Sequence, residues 1–96
     1  MSILVHHKKE IIKEGDIIEK RVWKIDKSNA FPQGIKYSLV YVHNNKRILG
    51  YDNERGKGHQ RHYYQIEESY KFMSFIKLMD DFENDVKRLR RKLYGN

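Results

Sequence analysis

Ile35-Lys36-Tyr37-Ser38-Leu39-Val40-Tyr41-Val42-His43 alternates two kinds of side chain with a period of two, and that period decides the fold. Tyr37, Leu39, Tyr41 and His43 fall on one face of an extended chain and Lys36, Ser38, Val40 and Val42 on the other, because successive side chains of a strand point to opposite sides. Asn44-Asn45 follows where a two-residue hairpin turn needs positive φ, which asparagine tolerates. Lys46 to Tyr51 then returns as the partner strand and brings Tyr51, Asp52 and Asn53 to its far end.

Outward from this hairpin, the flanks extend the sheet and then cover it. Residues 3 to 26 read as a second hairpin: Ile3, Leu4, Val5, Ile11 and Ile12 lead into Glu14-Gly15-Asp16, a turn followed by Ile17, Ile18, Val22, Trp23 and Ile25. Asp26 to Gly34, with Ser28, Asn29 and Pro32, is a loop. Beyond the central hairpin, Gln60 to Gln65 reads as a short strand and Tyr70 to Phe72 as a further extended piece. The period changes at Ser74, a suitable N-cap. Phe75, Met79, Phe82, Val86, Leu89 and Leu93 form one apolar stripe on a helix of about five turns. Asp80, Asp81, Glu83 and Asp85 precede Lys87, Arg88, Arg90, Arg91 and Lys92, the polarity a helix macrodipole favours, and Gly95 ends the helix. The expected fold is α+β: a single small domain over residues 1–96, with an antiparallel sheet of about five strands and the C-terminal amphipathic helix packed on one face.

Composition narrows the function. Ninety-six residues suffice for one modest core. No run of 18 apolar residues exists to span a bilayer. Lys8, Lys9 and Glu10 interrupt any secretory leader, so a cytoplasmic location is expected. The chain has no cysteine, which removes disulfides, thiolate metal sites and cysteine nucleophiles. A net charge of +7 favours an anionic partner, nucleic acid or an acidic protein, although lysine-rich surfaces are often merely solvated.

The densest chemistry lies in Gly50-Tyr51-Asp52-Asn53-Glu54-Arg55-Gly56-Lys57-Gly58-His59-Gln60-Arg61-His62-Tyr63-Tyr64. Its tyrosines apart, this run has almost nothing to bury, and from Arg55 to Tyr64 it holds no carboxylate. Arg55, Lys57 and Arg61 beside His59 and His62 are the side chains needed to hold a phosphate and move protons next to it. Gly56-Lys57-Gly58 lets backbone amides approach an anion, but it lacks the spacing of a nucleotide-triphosphate loop and alone reads as an ordinary β-connection. Two imidazoles without a third donor make an incomplete zinc site, even with Asp52 or His43 nearby, so no metal and no cofactor is expected. In a regular strand His62 shares a face with Gln60 and Tyr64, and His59 with Arg61 and Tyr63; the two histidines converge only if His59 lies in the loop. Tyr63 and Tyr64 can stack on bases or pack, and the run Lys87 to Lys92 can grip phosphates or simply be solvated.

These residues carry a resemblance. Tyr37-Ser38-Leu39-Val40-Tyr41, Gly50-Tyr51-Asp52-Asn53, Gly56-Lys57-Gly58 and Arg61-His62-Tyr63 resemble the central signature of the TumE-like toxins of prokaryotic type II toxin–antitoxin systems. In that family the stretch after Gly-Lys-Gly usually ends in His-Arg-His; this chain has Gln60 at the first of those positions. The resemblance implies a toxin encoded with an antitoxin partner, often a helix-turn-helix protein, and RNA as target by analogy with other small toxins. The expected activity is a metal-independent endoribonuclease, in which RNA's own 2′-hydroxyl attacks because the chain offers no group suited to making an external nucleophile. His62 would act as general acid or base with His59 or Tyr63 as counterpart. Asp52 would orient a histidine or arginine, while Lys57 and Arg61, with Arg55, would stabilise phosphate charge. The alternatives are a non-enzymatic RNA-binding protein and an antitoxin-binding module, and a homo-oligomer remains compatible with either.

Overall fold

A computed structural model describes residues 2–95. Six antiparallel strands follow one another as a meander, β1 (Ile3–Ile11), β2 (Ile17–Lys24), β3 (Ile35–His43), β4 (Lys46–Glu54), β5 (Gly58–Tyr63) and β6 (Ile66–Ser69), ordered in the sheet as in the sequence. The helix α1 (Phe75–Tyr94) packs across one face. The fold is α+β, as expected, with one strand more than the sequence suggested.

Local chemistry accounts for most boundaries. The N-terminal hairpin turns at Gly15 (φ 89°), and the central one at Asn44 and Asn45, with φ of 51° and 63°. Ser74, in extended conformation, accepts the Lys77 amide on Oγ at 3.1 Å, and Gly95, in the left-handed region, donates its N–H to the Arg91 carbonyl. Arg91 and Lys92 occupy the last turn, but the first turn holds no acid, so macrodipole support comes only from the C-terminal cations. Tyr70 to Phe72 is not strand. Those residues strap the sheet to the helix: Tyr70 meets Tyr51 edge-on at 5.0 Å and donates to Asp81 at 2.5 Å. The sixth strand lies just before, at Ile66–Ser69, where every residue is exposed and no alternation marks it.

Tyr37, Leu39, Tyr41, Leu49 and Tyr51 of the two central strands meet Leu78, Phe82, Val86 and Leu89 of α1 in the core. The buried face of the helix departs from the expected stripe. Leu78 is fully buried although the stripe omitted it, while Phe75, Met79 and Leu93 are only partly buried. Asp85 lies buried in the row Leu78, Phe82, Asp85, Leu89, where an apolar residue would ordinarily sit. Among the described residues, no helix lies on the opposite face of the sheet. Among the described residues no helix is long and apolar enough to cross a membrane.

Candidate functional site

The turn joining β4 to β5 sets the geometry of the site. Gly56 (φ 85°) and Gly58 (φ 72°) adopt left-handed conformations that side chains disfavour, and the Lys57 amide closes the turn on the Glu54 carbonyl at 3.2 Å. Arg55, Gly56 and Lys57 form the loop, so Asn53 pairs with His59, Asp52 with Gln60 and Gly50 with His62. His59 is therefore inside the strand rather than in the loop. Strand parity then sends His59, Arg61 and Tyr63 to the face under the helix, and Gln60 and His62 to the open face with Asp52. The two histidines diverge.

On the open face His62 Nε2 lies 3.4 Å from Asp52 Oδ1. The distance is that of an ion pair, yet neither atom makes a hydrogen bond among the described residues, although both are shielded from solvent. The side chains are 12% and 21% exposed, so the pair is largely buried, and Asp52 also lines a recess in the open face. Buried polar atoms normally find partners, and a loose pair facing a recess is the arrangement a bound ligand would tighten. A cation is close by: the Arg47 side chain lies across Gly50, where an added Cβ would meet its Cδ at 3.1 Å and its guanidinium at 3.4 and 3.5 Å. Gly50 is the cross-strand partner of His62. Arg47 has one signal in the sequence, Gly50 in mid-strand, which marks a close approach.

Gln60, at the position where an alternate histidine was anticipated, is buried and donates its Nε2–H to the Lys57 carbonyl at 2.9 Å. It fastens the turn and presents no titratable group. Lys57 itself is exposed and reaches Glu67 at 3.3 Å, and Arg55 lies over the Phe31 ring at 5.7 Å from its centroid.

The other nominated residues belong to the covered face. His59 stacks on Phe72 at 4.6 Å and on Tyr37 at 5.7 Å, with its Nδ1 hydrogen-bonded to the Tyr37 hydroxyl at 2.8 Å. Burial lowers its pKa below the ordinary 6.5, because the charged ring loses hydration there. Arg61 donates from Nε to Asp85 at 3.0 Å and to the Tyr51 hydroxyl at 3.2 Å, and from Nη1 to Glu68 at 2.9 Å. Tyr51 donates to the same Asp85 at 2.5 Å. Tyr63 packs under the Arg61 guanidinium at 5.1 Å. Arg61 ties sheet to helix through Asp85, and strand parity puts His59, Arg61 and Tyr63 on the face opposite His62. Among the described residues no group of three or more His, Cys, Asp or Glu is placed to hold a metal ion.

A second polar cluster lies at the far end of β3. Asp16 accepts from the Tyr41 hydroxyl at 2.7 Å and the Tyr94 hydroxyl at 2.6 Å, and pairs with His43 Nδ1 at 2.8 Å. Burial would raise the Asp16 pKa, but hydrogen bonds from Tyr94, Tyr41 and His43 outweigh it and hold the carboxyl below its usual range. Asp16 in turn pushes the Tyr94 hydroxyl up to about 12. This cluster pins the end of α1 to the sheet.

A family model described as Toxin TumE matches residues 4–90. The chain belongs to the TumE toxin family. The match runs from β1 through most of α1 and includes both faces just described. Comparison with curated proteins and with solved structures finds no match. In this TumE-family chain Asp52, Gln60 and His62 thus share one face, with Arg47 reaching across Gly50 from the same strand as Asp52.

Proposed function

We propose that this protein is the toxin of a type II toxin–antitoxin pair and acts in the cytoplasm as a metal-independent endoribonuclease, with His62 and Asp52 as its proton-handling centre. The observation that carries this reading is the Asp52–His62 pair: two buried, unsatisfied polar atoms 3.4 Å apart on the uncovered face of a basic protein from a toxin family. Family membership supports an antitoxin partner. The ligand set supports metal independence, since the carboxylates and imidazoles near His62 do not assemble a site.

RNA supplies its own nucleophile. Asp52 faces Nε2 of His62, which leaves the other ring nitrogen to accept the proton of a 2′-hydroxyl once the pair tightens. The 2′-oxygen forms a bond to the adjacent phosphorus, the bond from phosphorus to the 5′-oxygen breaks, and the imidazolium returns its proton to that leaving oxygen. The products are a 2′,3′-cyclic phosphate and a 5′-hydroxyl. Arg47, whose side chain lies across Gly50, the cross-strand partner of His62, takes the charge-stabilising role that Arg61 cannot reach, with Arg55 and Lys57 holding flanking phosphates.

The test is RNA cleavage and growth inhibition, each with and without a chelator, for wild type and His62→Ala. Loss of cleavage by roughly 10²–10⁴-fold with the fold retained is expected for removal of a general acid–base, and the chelator should change nothing. A folded His62→Ala protein that still cleaves and still poisons cells overturns the assignment. Cleavage abolished by the chelator overturns metal independence.

A further inference from the structure

Beside Asp52 the open face deepens into a groove of about 900 Å³ between the end of β2 and the β4–β5 turn, within the size range of small-molecule sites. Trp23, Phe31, Lys36, Ser38, Asp52 and Arg55 line it. Two aromatic rings each carry a cation. The Lys36 ammonium lies 6.0 Å from the Trp23 centroid, and the Arg55 guanidinium 5.7 Å from that of Phe31. Phe31 is buried, whereas Trp23 is only half-buried and sits where Leu4 and Lys36 flank it in the sheet. Asp52 belongs at once to this groove and to the pair with His62.

We propose that this groove is a subsite for one unpaired nucleotide of single-stranded RNA, its base stacked on Trp23 and its phosphate held by Lys36 and Arg55. The inference rests on the reading of His62 and Asp52 as an RNA-cleaving pair, and it adds where the strand lies. Stacking on an aromatic ring and charge pairing to a phosphate are the two contacts that single strands use; the half-buried Trp23 offers the first, and a duplex cannot offer the face of a base. Asp52 and Glu54 face the same groove and would repel an acidic protein segment, but they accept hydrogen bonds from the amino groups of a base. The strand would leave the groove past Asp52, which places the next phosphate at His62.

Trp23 is the only tryptophan, so its fluorescence reports on the groove directly. The full chain is titrated with a short single-stranded oligonucleotide bearing 2′-O-methyl groups, which cannot be cleaved by 2′-hydroxyl attack. Saturable quenching of Trp23 is expected. By anisotropy of a labelled oligonucleotide, Trp23→Leu should weaken binding by about 10-fold or more, and Trp23→Phe, which keeps a ring, should restore much of it. Lys36→Gln with Arg55→Gln should weaken binding more than Arg91→Gln with Lys92→Gln, which removes the same charge from the helix end. Should Trp23→Leu fail to fold, the wild-type quench and the two charge pairs still decide. Binding without any change in Trp23 fluorescence, equal losses from both charge pairs, or quenching by a poly-glutamate peptide and not by the oligonucleotide would each overturn the proposal. The two readings fail separately. Quenching without cleavage of any RNA keeps the subsite and removes the nuclease, and cleavage without quenching does the reverse.

Discussion

The two faces of the sheet put similar side chains to different uses. Under the helix, Arg61 and Asp85 hold each other with Tyr51 and Glu68 as further partners, and His59 packs in a three-ring cluster with Tyr37 and Phe72. On the open face, Asp52 and His62 stand 3.4 Å apart with no hydrogen bond made. A charge or an imidazole satisfied by its own chain is committed to holding the fold. One left unsatisfied in a recess is available to a ligand. The comparison teaches that composition is a poor guide to which residues of a basic run do chemistry: His59 and His62 are three positions apart, and strand parity alone separates them.

The strongest way to break this division is to strike the covered face and look for a loss of activity. Asp85→Ala leaves Arg61 partly buried without its main partner and should cost roughly 3 kcal/mol, read as a lower urea midpoint. Arg61→Met combined with Asp85→Leu removes both charges and should recover most of that loss. If Arg61 only joins sheet to helix, the double variant cleaves RNA like wild type. A stable double variant with no activity would place Arg61 against substrate and end the two-face account.

Why the sequence misplaced Arg61 is a matter of range. Alternation in Ile35 to His43, the Asn44-Asn45 turn and the Ser74 and Gly95 caps are signals carried by neighbours along the chain, and all of them appear in the structure. The partner of Arg61 is Asp85, 24 residues away at a buried helix position that the apolar stripe did not include. Nothing local announces it. The Asp52–His62 pair likewise depends on register, and register here follows from the three-residue turn at Arg55–Lys57 rather than from any residue type in β5. Tyr70 to Phe72 looked extended because aromatic residues favour strands, whereas these rings fill the gap between sheet and helix. Arg47 was legible only through Gly50, a glycine where the strand had no other use for one.

A finer probe of the same division is pH. Burial holds the folded pKa of His59 below 6.5, so at intermediate pH the unfolded chain binds a proton that the folded chain does not. Stability should therefore fall as pH drops through 6.5 toward the folded value, and show no such dependence on this group above it. Asp16 and Asp81 are held below their ordinary 3.8, so their contribution is lost only at more acid pH, outside this window. His59→Phe keeps a ring against Phe72 and loses the bond to Tyr37. It should change stability at pH 7.5 by about 1 kcal/mol or less and flatten the slope below pH 6.5, as measured by urea midpoints. Parallel profiles for variant and wild type would show that the His59 pKa is not lowered by its surroundings. Cleavage by His59→Phe should be unimpaired, because its ring is on the wrong face.

The smallest change tests the open face from within. Gln60 lies across from Asp52 and on the same side as His62, where a second imidazole would stand in a His-Arg-His arrangement. Gln60→His gives up the hydrogen bond to the Lys57 carbonyl, at a cost of about 1 kcal/mol. In exchange, the open face acquires two imidazoles around one carboxylate. With His62 alone, one ring must take the 2′-hydroxyl proton and give it back. With two, base and acid can be separate groups, so the pH–rate profile should become bell-shaped and cleavage near neutral pH should rise by up to about 10-fold. An unchanged rate and profile would put position 60 beyond reach of the reacting phosphate and confine the chemistry to His62 and Asp52. Loss of cleavage in a folded Gln60→His protein would point instead to the turn, since the bond from Gln60 to Lys57 is what holds Arg55 and Lys57 at the margin of the recess.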